Sequence, residues 1–202
     1  MKNGNGLASG LLSDLNACEE ALEWVGERDP GTAWSQSPRG DWLLWYAGQM
    51  AVDRRQLVRT ACACARLVLP LVREGEERPR LAIEAAERWA DDPTEANRRA
   101  AGTASCSARA AWAAAWAAGA AGYAAAWAAW AAARAAGAAG ADGGEAAAWA
   151  AWAAGAADAA WAAARAADAA DAAGDDMHRQ CADAVRAVIP FPGVPQTAGV
   201  NS

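Results

Sequence analysis

Between residues 108 and 173 the chain is nearly a two-letter text, alanine with tryptophan set into it, and few folds can accept such a stretch. Alanine enters a helix without losing side-chain entropy, so the segment reads as helical. It also buries little surface, so another residue type must hold these helices to anything. Trp112, Trp116, Tyr123, Trp127 and Trp130 follow one another at gaps of 4, 7, 4 and 3. At about 100° per residue they project within roughly 60° of one another, a single aromatic stripe that Arg109 and Arg134 continue past each end. Rings that bury about 150–250 Å² each carry most of the packing energy of such a helix.

A second helix answers the first. Asp142-Gly143-Gly144-Glu145 reads as a break and a new start, with an acid three residues after a capping Asp142. Trp149, Trp152 and Trp161 follow. Trp161, Arg165, Asp158 and Asp168 fall within about 80° on the wheel, which makes that side the solvent face. The pattern predicts a long antiparallel helical hairpin that turns near residues 137–144. Its small contact residues let the axes approach to about 8 Å. The rings read as core rather than as a stacking platform for bases, because a platform sits in a basic groove. Arg109, Arg134 and Arg165 are outnumbered by acids here.

The uncharged run 110–133 is long enough to span a bilayer, but 17 of its 24 residues are alanine and none is Leu, Ile, Val or Phe. Its tryptophans run along one face instead of gathering at two interfaces. The mean hydropathy of the chain is −0.08. No membrane association is expected.

The rest of the chain also reads as helices. Ser13-Asp14 can cap a helix to about Gly26 with Leu15, Cys18, Leu22 and Val25 on its apolar face. Asp29-Pro30-Gly31 reads as a stop, and 31–40 as a loop carrying Trp34. Asp41 to Tyr46 predicts a short buried helix. Asp53 opens a longer one whose core face is Leu57, Ala61, Cys64, Val68 and Leu71, ended by Pro70. Pro79 opens another, with Leu81, Ala85 and Trp89 on a face with Ala82 and Ala86. Asp92-Pro93-Thr94-Glu95 carries cap, first-turn proline and acid in order, a start signal for the helix leading into the alanine region, with a bend expected at Gly102. Gly174 reads as a helix end and Asp175 or Asp176 as the next cap, before Cys181, Val185, Val188 and Ile189. Alternation is absent and β-branched residues are sparse. The fold class is all-α: a helical bundle or orthogonal helix array with a long Ala/Trp-rich hairpin. The expected divisions are 1–40 (N-terminal helix and loop), 41–189 (helical domain) and 190–202 (disordered tail).

Twenty-four acids against 18 bases give a net charge of −6, which argues against nucleic acid and suits a basic protein partner. Five cysteines without an evident secretory signal read as reduced thiols of a cytoplasmic protein. Cys62 and Cys64 point about 200° apart on a helix, wrong for one metal, and read as packing residues. His178 reads as a surface histidine beside Asp175, Asp176 and Arg179. Asp158, Asp168 and Asp171 read as a solvated acidic face, and the glycines at 119, 122, 137 and 140 lack the Lys/Ser/Thr of a phosphate loop. No catalytic, cofactor or metal site is expected, and the chain reads as no enzyme.

From Trp42 to about Ala90 the chain resembles a known family. Val68-Leu69-Pro70 closing an alanine- and cysteine-rich helix, Arg78-Pro79-Arg80, Ala82-Ile83-Glu84-Ala85-Ala86 and Trp89-Ala90 are similar to the layout of the immunity protein five-like family of bacterial polymorphic toxin systems. The likeness extends by composition to about residue 190. It implies an all-helical, non-enzymatic protein that binds a cognate toxin and occludes it, with no cofactor. The tryptophan content departs from that pattern. Candidate anchors for the partner are Trp152 and Trp161, rimmed by Arg165, Asp168 and Asp171. The rival reading is a self-assembling module whose Ala/Trp hairpins pack between copies, and association into homo-oligomers stays open.

Overall fold

The computed structural model describes residues 8–50, 52–117, 132, 136 and 170–194, with the backbone alone for 112–117 and 170–175. Among these the regular structure is helical throughout, with no strand. Eight α-helices follow in order: α1 (Ala8–Asp14), α2 (Glu19–Val25), α3 (Pro30–Gln36), α4 (Gly40–Gln49), α5 (Arg54–Val68), α6 (Arg78–Asp91), α7 (Glu95–Ala117) and α8 (Ala170–Val188). Most of the predicted alanine–tryptophan hairpin lies outside the described residues, which include only its positions 108–117, 132, 136 and 170–173. Ala132 and Ala136, one helical turn apart, are fully buried in the main core.

The chain is built around α5. Leu57, Ala61, Cys64 and Val68 are buried as their spacing requires, and so are Val58, Thr60, Cys62 and Ala65. A helix apolar on more than one face packs on more than one neighbour, and α5 lies against both α6 and α8. The Cys62 thiol faces the Ile83 carbonyl of α6 at 3.9 Å, and Cys64 faces the Cys181 carbonyl of α8 at 3.9 Å. The two sulfurs therefore serve opposite interfaces, as their spacing predicts. Burial raises the Cys62 thiol far above its ordinary range, which suits a packing residue. Thr60, also buried, donates its hydroxyl to the Gln56 carbonyl at 2.8 Å. α7 packs on α6, with Ala101, Ser105, Ala108 and Ala111 buried among its described side chains.

Helix ends depart from the sequence expectations more than helix interiors do. The helix expected over 14–26 is two helices, because Asn16 takes a left-handed φ of 59° and the chain turns between α1 and α2; asparagine accepts that conformation better than most residues. The expected loop 31–40 contains α3. Asp29-Pro30, read as a stop, is a start: Asp29 accepts the Thr32 amide at 2.9 Å and Pro30 sits in the first turn. Trp34 is consequently a core residue, 6% exposed. Leu81 is 47% exposed and Leu71 42%. Ile83 takes the buried place in α6, and Pro70 diverts Leu71 into a 3-10 turn (Leu69–Leu71). α7 begins at Glu95, with Thr94 accepting the Asn97 amide at 3.3 Å, two residues later than the expected cap at Asp92. Gly174 ends nothing, since α8 runs through it. His178, expected at the surface, is half-buried on α8.

Arginines from elsewhere close several helix C-termini, where the last carbonyls lack intrahelical partners. Arg55 Nε and Arg59 Nη2 donate to the Ala90 carbonyl that ends α6, at 2.7 and 3.0 Å. Arg186 Nη1 of α8 donates to the Ser37 and Trp34 carbonyls at the end of α3, at 2.8 and 3.3 Å. Positive charge is favoured at those termini by the helix dipole as well.

The first five residues of the segment expected as a tail, 190–194, take a defined course against the body. The Phe191 ring lies 6.2 Å from that of Trp34, and Tyr46 donates its hydroxyl to the Gly193 carbonyl at 2.7 Å. Residues 195–202 lie outside the described residues.

Gly102 in α7 has open space where a side chain would stand. Gly102→Ala is expected to raise stability by about 0.5–1 kcal/mol through helix propensity alone. An unchanged or lower urea midpoint would show that the space is occupied. A second expectation concerns acid. The Thr32 hydroxyl and amide hold the Asp29 carboxyl below its ordinary range, and the guanidinium groups of Arg78 and Arg98 do the same for Glu76 and Glu95. Carboxyls with depressed folded values stabilise the fold fully above the ordinary carboxylate range of about 4 and lose that contribution as pH falls through their folded values. Urea midpoints should therefore be flat from neutrality down to about pH 5 and decline below about pH 4, less steeply in Asp29→Asn. A midpoint that rises on acidification contradicts this assignment.

Candidate binding surface

The N-terminal quarter of the chain is strongly acidic. Residues 8–53 carry eight acids against Arg28 and Arg39, a balance of −6 that equals the net charge of the whole chain. Much of it stands on α2 and the turn after it, where Glu19, Glu20, Glu23 and Glu27 are exposed. Glu19 and Glu20 occupy the first turn, where Cys18 provides no side-chain cap, so their charges answer the helix dipole. On the α2 wheel the three glutamates within the helix span about 100°, and Trp24 stands about 40° beyond Glu20. Ala21 and Val25 turn inward.

Trp24 belongs to a cluster of four side chains. Its ring centroid is 5.9 Å from that of Trp42 on α4, with 53° between the planes. Arg28 lies over Trp24 with its guanidinium carbon 4.6 Å from the ring centroid, and Arg39 lies over Trp42 at 5.0 Å. A cation against an aromatic face is attracted by the ring quadrupole, so Arg28, Trp24, Trp42 and Arg39 make one cluster of paired contacts. Its members are locked from outside. Arg28 also donates to the Trp24 and Val25 carbonyls at the end of α2. Arg39 grips Asp41 with both Nε and Nη2, at 2.9 and 2.8 Å, and reaches Glu20 at 3.4 Å. Both tryptophans and both arginines of the cluster are partly exposed. This gives a rigid, half-buried aromatic and guanidinium strip edged by carboxylates. Tryptophan and arginine are the side chains that most often dominate protein–protein contacts when held rigid and partly desolvated.

Other arginines of the described surface are engaged with carboxylates: Arg66 with Glu87 at 2.6 Å, Arg98 with Glu95 at 2.7 Å, and Arg78 and Arg80 with Glu76, Glu77 and Glu84. No cluster of three or more His, Cys, Asp or Glu able to hold a metal occurs among the described residues. Among them, too, no helix is long and apolar enough to cross a membrane.

Of the anchors suggested by the sequence, Trp152, Trp161, Arg165 and Asp168 lie outside the described residues. Asp171 falls in the first turn of α8, where only the backbone is described. The structure instead brings together Trp24, Arg28, Arg39 and Trp42, which sequence reasoning did not single out. The legible signal was the density of acids over 19–27 next to Trp24. The partner ring, 18 positions away, was not. No family model, curated protein or solved structure matches the chain.

Proposed function

We propose that the chain is a non-enzymatic helical binding protein that occludes a basic protein partner. The resemblance of residues 42–90 makes that partner a bacterial toxin and this chain its immunity protein. The observation that carries the reading is the strip on α2 and α4: tryptophans, each faced by an arginine, beside the exposed carboxylates of Glu19, Glu20 and Glu23. Acidic carboxylates steer a basic partner into encounter, and the aromatic strip supplies contact area that slows its departure.

Co-expression with a toxin encoded beside the gene should restore growth, and co-purification should recover the pair. A neighbouring toxin whose effect is unchanged by co-expression sinks the proposal. Replacing Glu19, Glu20 and Glu23 together by lysine should slow association about tenfold or more at low ionic strength and much less in high salt. Trp24→Ala should act on dissociation instead, with circular dichroism confirming that the helices persist. Equal association rates for the parent and the triple variant at low salt would remove α2 from the interface.

A further inference from the structure

We propose that Cys64 of α5 and Cys181 of α8 form a redox latch, in which oxidation joins the two sulfurs and fastens the C-terminal helix to the centre of the fold. The inference is independent of the binding role above. It starts from a juxtaposition: the Cys64 thiol lies 3.9 Å from the Cys181 carbonyl oxygen, so the two cysteines meet where α5 packs on α8. Both residues are 1% exposed. The remaining cysteines are placed elsewhere. Cys62 faces α6 on the far side of α5, and Cys18 and Cys106 are exposed. At the same level, an added Cβ on Gly40 would stand 2.8 Å from the Cys181 carbonyl carbon and Cβ. With no side chain between them, α4 therefore presses directly on the α8 backbone that carries Cys181.

Joining Cys64 to Cys181 asks the two side chains to turn until the sulfurs stand about 2.05 Å apart. The crosslink joins positions 117 residues apart, a long loop whose closure restricts the unfolded chain strongly. Reactivity is gated by the fold. The hydrogen bond to Cys181 and burial together hold the Cys64 thiol well above its ordinary range, and thiolate, not thiol, is the attacking species. Exchange therefore begins when α8 lifts from α5. With a low-molecular-weight disulfide as oxidant, the first protein thiolate attacks one oxidant sulfur, releasing one reduced thiol and leaving a mixed disulfide. The second protein thiolate then attacks the protein sulfur of that bond and releases the other thiol. Two protein S–H bonds are lost and one S–S bond forms, and two protons and two electrons end on the two small thiols.

The test uses the full chain carrying Cys18→Ser and Cys106→Ser, both at exposed positions, treated with oxidised glutathione. After alkylation in denaturant, intact mass and peptide mapping should show loss of two hydrogens and a linked Cys64–Cys181 peptide. The urea midpoint of the oxidised chain should be higher than that of the reduced chain and return to it with dithiothreitol. Adding Cys181→Ser should abolish both effects. Recovery of Cys64 and Cys181 as free thiols, as glutathione adducts, or in mixed pairings with Cys62 would overturn the latch.

Discussion

Gly40→Ala is expected to destabilise the protein by about 1–3 kcal/mol, although alanine is ordinarily the better helix residue by up to about 1 kcal/mol. The added methyl would stand 2.8 Å from the Cys181 carbonyl carbon and Cβ and 3.0 Å from the Ala182 amide nitrogen. These are mostly backbone atoms of a buried helix, so no flexible side chain can swing away. Either α8 withdraws from α4, loosening the seat of Cys181, Ala182 and Val185, or the start of α4 shifts. Gly40→Val should cost more. Urea unfolding followed by circular dichroism measures both, with Gly102→Ala as a control of opposite sign. A neutral Gly40→Ala would mean that the two helices do not meet as closely as the structure has them.

Trp34→Ala is expected to cost about 3–5 kcal/mol, the range for truncating a buried large aromatic. The ring is 6.2 Å from both Tyr46 and Phe191, so it joins α3, α4 and the segment after α8. The Trp34 backbone is held separately by Arg186, so the variant removes the ring while leaving the α3 cap in place. Two further effects should accompany the loss of stability. Protease should cleave sooner near residues 190–194, since Phe191 loses its partner. A double-mutant cycle between Trp34→Ala and Phe191→Ala should show coupling of about 0.5–1.5 kcal/mol. A midpoint within experimental error of the parent would return Trp34 to the surface loop suggested by its local sequence.

Some elements of the fold were legible residue by residue. The stripe Leu57, Ala61, Cys64 and Val68 is buried as a 3.6-residue period demands, and Pro79 does open α6. Other signals were misread because one local cue has two meanings. Asp29-Pro30 can end one element or cap and begin the next, and Trp34, buried beneath Tyr46 and Phe191, decides for the second. Gly174 is a helix end by propensity, yet α8 passes through it. A propensity of about 1 kcal/mol yields to the packing of a whole helix. Leu81 and Ile83 are similarly apolar, and the chain alone gave no reason to send Ile83 inward and leave Leu81 outside.

The amino-acid sequence by itself determined the all-helical class, the central apolar stripe of α5, the opposed directions of Cys62 and Cys64, and the acidic balance. Each depends on neighbours within a turn or two, or on a simple count. Only the tertiary structure decided that Trp24 meets Trp42 between two arginines, that Cys64 meets Cys181, and that Gly40 must lack a side chain. Those are encounters between residues 18, 117 and 141 positions apart. They follow from which helix faces share the limited buried volume, a competition among all the helices at once that no local window contains.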